Sequence, residues 1–416
     1  MTTDGLTLVV GSGVQRYREY LLSSAGQRPV WLLDATEPTW QRAHIAGHTV
    51  VPQRDAARLT PDVPALVAAA REVAAAHRVV GVMSYDETLV VATAHIAEEL
   101  GLRGLTVAGA ENCRNKTRTR RLLTEAGLVQ PRYAHVTTAA EARAAAAEFG
   151  WPVVVKPRGM GASIGVVRVP GAAAMDAAFT TAEEASRGGN PDYEGGVLVE
   201  EMLTGPEISI DGAVQNGGYQ PLFIAHKSLG LEPYFEETGH LVSSDDPLLT
   251  DPVLLDTLER AHRALGLQDG MTHTEIKFTD RGPAVVEVNA RLGGDLIPYI
   301  GRLASGIDPA RVAVDVAAGV PVRPVPTRKT SVGIRFCYPP EDGTVAAATL
   351  PAPGSLDGLV EAEQIVPAGA VLRLPPRGYA NLCRYALLVC EADGPGDCSD
   401  RLDAAQAAAD VRLELG

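Results

Sequence analysis

The chain has 416 residues, 46% of them apolar, and a formal net charge of −14. That length can bury several hydrophobic cores, in about two to four domains. The acidic balance argues against a nucleic-acid partner, which calls for a basic stripe, but it allows phosphorylated small molecules screened by local lysines or a divalent ion. No apolar run reaches the length of a membrane span, and the first residues lack a basic-then-apolar leader; the expected address is the cytoplasm, with no membrane partner. Five cysteines, Cys113, Cys337, Cys383, Cys390 and Cys398, form no C-x-x-C pair, so reduced thiols are expected rather than a zinc site.

The opening stretch alternates strand and helix. Residues 6–10 read as an apolar strand, Gly11-Ser12-Gly13 as a turn, 16–25 as a helix and 30–33 as a second strand ending at Asp34. This is the Rossmann layout, but Arg16 stands where the third fingerprint glycine belongs, so a structural turn is expected there. A strand over 79–83 ends in Ser84-Tyr85-Asp86-Glu87, ahead of a helix through Leu100. Ligands in such sheets bind beyond the carboxyl ends of strands, which offers Asp86 and Glu87 to a substrate amine; a helix cap with an acidic first turn suits the same residues.

A basic helix is expected over 114–125, with Gly127 closing it, then a strand over 131–136 and an alanine-rich helix over 139–149. The glycine-rich loop 187–196 reads as a lid, and Asn216-Gly217 as a hairpin turn between strands 208–214 and 222–227. Residues 232–246, with Tyr234, Glu236, Glu237 and His240, read as irregular. From 309 onward come a proline-rich linker, short strands from 332, and a terminal helix over 399–415, the pattern of a small β-rich cap.

Three segments carry the chemistry. Lys156 ends an apolar strand and enters Arg158-Gly159-Met160-Gly161-Ala162-Ser163. Backbone N–H groups in such a loop can approach phosphate oxygens while the ammonium neutralises them, although an ordinary hairpin turn has the same composition. A second strand, Val197 to Glu201, continues through Met202 and Leu203 to Glu207; its linker backbone can meet the edge of an adenine and Glu207 a ribose, or Glu200 and Glu201 can be plain strand-end charges. The third is a hairpin with arms Glu275-Ile276-Lys277 and Val286-Glu287-Val288-Asn289-Ala290-Arg291. Strand side chains alternate faces, so Glu287, Asn289 and Arg291 share one side, with Glu275 opposite. Two carboxylates and a carboxamide make a hard, oxygen-only set suited to Mg²⁺; a solvated hairpin face is the plainer reading.

In this order the three segments resemble the ATP-grasp ligases, over about residues 113–300. The resemblance implies mixed α/β and α+β architecture: a Rossmann-like domain (1–112), a two-lobed ATP-grasp domain (113–308, its lysine–glycine lobe at 113–195) and the C-terminal cap (309–416). It implies that Lys116, Lys156, Gly159, Gly161, Ala162 and Ser163 hold ATP phosphates. Glu201 and Leu203 would meet adenine through their backbones, with Glu200 in the same ATP site, and Glu207 would hold the ribose. Glu275, Glu287 and Asn289 would hold Mg²⁺, with Mn²⁺ as a substitute, and Arg291 the acyl phosphate. Cys113-Arg114-Asn115-Lys116, Thr272-His273-Thr274-Glu275 and Asn289 to Asp295 look most like bacterial L-amino-acid ligases that form dipeptides.

The activity implied is ATP-dependent joining of a small carboxylate to an amine, by a homodimer. Arg291, Lys156 and His273 are the catalytic candidates. His273 faces the same way as Glu275, so it can take the amine's proton or can be a structural histidine; His226 and Asp211 are the other bases on offer. Arg291, Gly294, His226, Asp86 and Arg335 are the substrate-binding candidates, with Arg335 and Asp86 as anchors for carboxylate and ammonium. Two other readings stay open: a synthetase of nucleotide or carboxylation type, with formate or bicarbonate as the acid, and a non-catalytic nucleotide-binding module.

Overall fold

The computed structural model describes residues 5–55, 60–187, 193, 195–379 and 382–414. The first unit contains β1 (Leu6–Val10), α1 (Gln15–Ala25), β2 (Val30–Asp34), β3 (Gly47–Val50), α2 (Val63–Ala76), β4 (Val79–Met83) and α3 (Val90–Glu99). Its strands form a parallel sheet in the order β3-β2-β1-β4. Short apolar runs suit strands covered on both faces, and Leu8, Val10, Leu33, Leu66 and Ile96 pack together as its core. At the turn after β1, Gly11 and Gly13 have φ of +77° and +70°, a region glycine enters without Cβ strain. The Ser12 N–H and hydroxyl donate to Asp34, as does Gln53 Nε2 at 3.0 Å. The acid that would read a ribose is thus engaged by its own loop, in keeping with a structural turn.

The expected helix over 114–125 is α5 (Lys116–Glu125), and a further helix that was not expected, α4 (Val107–Arg114), precedes it. Asn115 separates the two: its side-chain oxygen accepts from the Thr117 and Arg118 amides, an N-cap that starts a new helix. Next come β5 (Tyr133–Val136), α6 (Ala139–Phe149), β6 (Val153–Pro157), β7 (Val167–Val169), α7 (Met175–Ser186) and β8 (Val197–Glu201). The strands make an antiparallel sheet, β5-β8-β6-β7, whose Val155 and Val199 pack with Ala146 and Phe179 of the two helices. Of the expected lid, residues 188–192 and 194 lie outside the described residues.

The remaining elements are β9 (Glu207–Gln215), β10 (Gly218–Gly230), β11 (Glu236–Ser243), α8 (Pro252–Leu265), β12 (Gly270–Thr279), β13 (Gly282–Asn289), α9 (Ile297–Ser305), α10 (Pro309–Ala317), β14 (Ser331–Cys337), β15 (Gly343–Thr349), β16 (Leu359–Gln364), β17 (Val371–Leu372), β18 (Ala386–Ala392), α11 (Pro395–Ala407) and β19 (Asp410–Glu414). Eight strands form one antiparallel sheet, β13-β12-β9-β10-β11-β14-β18-β16. Asn216 and Gly217, with φ of +53° and +76°, make the β9–β10 turn, as the left-handed pair of a two-residue hairpin loop should.

Two expectations fail here. Residues 236–243 are strand, not irregular, because β11 is pinned between β10 and β14. The terminal helix ends at Ala407, and the alternating run 410–414 pairs with β15 as β19. The large sheet runs on past residue 309, where β14, β18 and β16 continue it beyond β11.

Candidate active site

A cleft lies between the small β5-β8-β6-β7 sheet and the large one, walled by the loop after β6, the β8–β9 linker and the β12–β13 hairpin. The hairpin register sets His273 opposite Asn289 and Glu275 opposite Glu287. All four side chains line the cleft, with Arg291 just beyond the strand end.

On the small-sheet side, Lys156 Nζ lies 2.6 Å from Glu200 Oε2, and Arg120 Nε lies 2.7 Å from Oε1. Burial by itself would raise the Glu200 carboxyl, but Arg120 and Lys156 outweigh it and hold the group at about 2. Glu200 therefore serves as the buried counter-ion that fixes Lys156 at the cleft wall. Such a triad tolerates loss of one member poorly. Arg120→Met should cost about 3–5 kcal/mol of stability at pH 7. A depressed folded-state pKa stabilises above the unfolded value and is lost as pH falls, so that difference should shrink between about pH 4.5 and 2, read from urea midpoints.

Lys116 Nζ reaches Glu287 Oε1 at 3.0 Å and the Met160 carbonyl at 2.6 Å. Ala162 and Ser163 have φ of +53° and +54°, a conformation that non-glycine residues take at a cost and that turns successive loop N–H groups the same way. Gly161, Ala162 and Ser163 line the cleft. Gly159 does not: it packs under Tyr193, where a Cβ would come within 2.6 Å of the ring. Its glycine is there for close packing.

Glu201, Met202 and Leu203 line the next stretch of wall. The Glu201 carboxylate is bound by Arg281 at 3.0 Å and by Arg132 at 3.6 Å. Glu207 is held by Lys227 at 2.9 Å and Lys277 at 3.3 Å.

Glu275, Glu287 and Asn289 crowd oxygen acceptors together. The Asn289 amide satisfies its neighbours only with its nitrogen turned to Glu287 (3.1 Å) and Glu87 (3.3 Å). Burial would raise the Glu275 carboxyl, yet Lys227 and His273 keep it well below the ordinary range. An oxygen-only set with a carboxamide among carboxylates fits a hard divalent cation. Arg291 Nε lies 2.8 Å from Glu87 Oε2, and Arg114 Nη1 lies 2.9 Å from Oε1; the three charges lock the end of the hairpin to the first unit.

Three substrate candidates fall outside the cleft. His226 is on the opposite face of β10 and pairs with Asp246 at 2.6 Å. Asp86 accepts from the Thr88 N–H and hydroxyl, both at 2.7 Å, as a turn cap; its neighbour Glu87 points to Arg291 instead. Arg335 is tied to Asp403 and Gln406 of α11, both at 2.7 Å. Of the bases, His273 lies 3.4 Å from Asp211 and 3.8 Å from Glu275. Burial would lower its pKa, but these carboxylates raise it to about 9. Asp211 is spent on His273 and on the Gly293 N–H at 2.6 Å. His226→Ala should change the kcat/KM of ADP release by no more than about twofold, since exposed side chains away from a site contribute little.

Further charged residues line or adjoin the cleft. Lys227, next to His226 but of opposite strand parity, is 2% exposed and lies 2.9, 2.6 and 3.0 Å from Glu207, Glu237 and Glu275. Asp295 and Arg384 meet at the far end, 2.8 Å apart, with Glu237 and His240 beside them.

Residues 149–299 match the ATP-grasp domain family model. The chain is 31% identical over 249 residues to the alanine–anticapsin ligase of Bacillus subtilis (strain 168), covering 56% of this chain and 52% of that protein. It is 31% identical over 217 residues to the D-alanine–D-alanine ligase of Ectopseudomonas mendocina (strain ymp), covering 49% of this chain and 64% of that one. The chain spans about half the length of the alanine–anticapsin ligases it matches. Among solved structures, an L-amino acid ligase from Bacillus licheniformis superposes with a TM-score of 0.78 at 21% identity, covering 99% of this chain and 100% of that one. No helix among the described residues is long and apolar enough to cross a membrane. Residues 149–299 therefore match an ATP-grasp domain, within a chain that shares the fold of the L-amino acid ligase structure.

Proposed function

We propose that the chain is an ATP- and Mg²⁺-dependent ligase that activates a small carboxylate, that of an amino acid, as an acyl phosphate and joins it to an amine. The observation that supports this most is the convergence in one cleft of Lys116, Lys156, the Glu275–Glu287–Asn289 set and Arg291. Lys156 and the N–H groups of the Gly161–Ser163 loop would orient the ATP phosphates; Glu207 would accept from the ribose. A divalent ion held by Glu275, Glu287 and Asn289 would neutralise phosphate charge. A carboxylate oxygen attacks the γ-phosphorus in line, and the bond from phosphorus to the β–γ bridging oxygen breaks, releasing ADP. Positioning and electrostatics carry most of the rate in such transfers. Arg291, whose planar fork matches phosphoryl oxygens, would hold the acyl phosphate. The amine nitrogen then attacks the acyl carbon, phosphate leaves, and the nitrogen gives up a proton.

The alanine–anticapsin and D-alanine–D-alanine ligases named above, by their names, both join an alanine to a partner, which supports an amino acid as substrate here. The test is ADP release from Mg·ATP against single amino acids, pairs of amino acids, and bicarbonate alone. Release that needs a pair, with an amide product by mass spectrometry, is the expected result. Release with bicarbonate alone would replace this reading with a carboxylating one.

A further inference from the structure

Arg291, to which the ligase reading gives the acyl phosphate, is held in place from two sides. Its Nε lies 2.8 Å from Glu87 Oε2, and its Nη1 donates to the Leu292 carbonyl at 2.7 Å. Among the described residues Nη2 has no hydrogen-bond or ion-pair partner, while the residue lines the cleft. Two edges of the planar fork are thus fixed by the protein and the third is left to a ligand.

Glu87 comes from the first unit, in the turn between β4 and α3. Oε2 faces Arg291 and also the Asn289 amide nitrogen at 3.3 Å. Oε1 accepts from Arg114 Nη1 at 2.9 Å, and Arg114 Nη2 donates to the Gly159 carbonyl at 3.1 Å, in the loop that follows Lys156. Burial would raise the Glu87 carboxyl, but Arg291 and Arg114 hold it below the ordinary carboxylate value, so it is ionised at neutral pH. An ion pair that only joined two units could stand anywhere on their interface. This one runs without a break from Arg291 through Glu87 and Arg114 to the backbone of Gly159. A single carboxylate therefore sets both the arginine that meets the intermediate and the loop beside its phosphate donor.

We propose that Glu87 is the positioning residue for Arg291: it fixes the guanidinium so that Nη2 meets the acyl phosphate, and so keeps the intermediate for the amine. The inference deepens the ligase reading and rests on it. When the fork is loose, water competes with the amine. Its oxygen attacks the acyl carbon, the bond from that carbon to the phosphate oxygen breaks, and the carboxylate and phosphate return with the protons of the water. ATP is then spent without an amide, so the ratio of ADP released to amide formed reads how well Arg291 is placed. A carboxylate that only braced the two units together would lower stability and leave that ratio where it was.

ADP and amide are measured in parallel on the full chain, with saturating Mg·ATP and the pair of amino acids that gives the fastest ADP release. Glu87→Gln keeps the size of the side chain but cannot neutralise two guanidiniums. Its kcat for the amide should fall by about tenfold to a hundredfold, the scale of a small misplacement at a reacting centre. The KM for ATP should change by no more than about threefold, since Lys116, Lys156 and Glu207 are untouched. The ADP-to-amide ratio should rise at least about threefold over that of the unaltered chain. Glu87→Asp keeps the charge but draws the oxygens back from both arginines; it should raise the ratio by less, and it decides the matter if the glutamine variant does not fold. An unmoved ratio in the deciding variant would overturn the assignment, whatever the loss of rate. So would a raised KM for the amine alone, with rate and ratio normal at saturating amine, because Glu87 would then bind the amine itself. No ADP release by the unaltered chain with any pair of standard amino acids would sink the ligase reading and this assignment with it; normal release with an unmoved ratio sinks the assignment alone.

Discussion

Replacing Glu287 with alanine should lower the rate of ADP release by about 10²–10³-fold, the scale expected when one group that places charge against a reacting phosphate is removed. Two roles meet in this carboxylate. It lies opposite Glu275 in the hairpin, where both can hold a divalent ion, and it tethers Lys116 Nζ at 3.0 Å. Glu287→Gln separates them. The amide keeps the size of the side chain and can still accept from Lys116, but it is a far poorer ligand for a hard cation. If the metal role dominates, the glutamine variant should be nearly as slow as the alanine one, and raised Mg²⁺ or Mn²⁺ should restore part of its rate. Near-normal turnover of Glu287→Gln would show that the carboxylate matters only as a partner for Lys116. Nucleotide binding should persist in both variants, because Lys156, the glycine loop and Glu207 are untouched.

Glu287 was legible from sequence because the argument is local. Strand parity has a period of two and the turn at 279–283 joins neighbouring arms, so the placement of Glu275, Glu287 and Asn289 on one face followed from a few residues. Parity alone could not decide at β10, where two adjacent polar residues offered opposite faces. His226 was the chemically tempting one, but its face is shared with Ile224 in the core under α8, whereas Lys227 shares the side of Ala225 and Phe223. Choosing correctly needed the β9–β10 register, which sets His226 opposite Ile208. Asp86 and Glu87 stand in a turn, where no periodicity says which side chain points inward. The Asp295–Arg384 contact joins residues 89 apart in the chain, and no local pattern marks it. Arg335 failed for a related reason: its strand is covered by α11, which takes up the guanidinium.

Lys227→Met should be the most damaging single substitution in the cleft for stability, by about 3–5 kcal/mol, the usual result of stripping the cation from a buried ionic cluster. Three carboxylates, Glu207, Glu237 and Glu275, lie within 3.0 Å of its Nζ. Burial would lower the lysine's pKa, but those three neighbours raise it well above the ordinary value, so it stays charged throughout the working range. Lys277 and two histidines compensate only part of the charge left behind.

The sign of the pH effect follows. In the intact chain burial would raise the Glu237 and Glu275 carboxyls, yet both are held below their ordinary value with Lys227 as the largest opposing influence. That stabilisation is complete above the unfolded carboxylate pKa and is lost on acidification. Without Lys227 the carboxyls must ionise unpaired or take up protons, so the deficit of the variant should be largest at pH 8 and smaller near pH 5. Urea midpoints with EDTA present, which removes any stabilising divalent ion, read this directly. An equal deficit at both pH values would mean that the lysine acts through packing of its stem. Lys227→Arg tests the geometry: it keeps the charge but exchanges a compact ammonium for a planar fork, so it should recover most of the stability and little of the turnover, because three carboxylates around one nitrogen need a point charge.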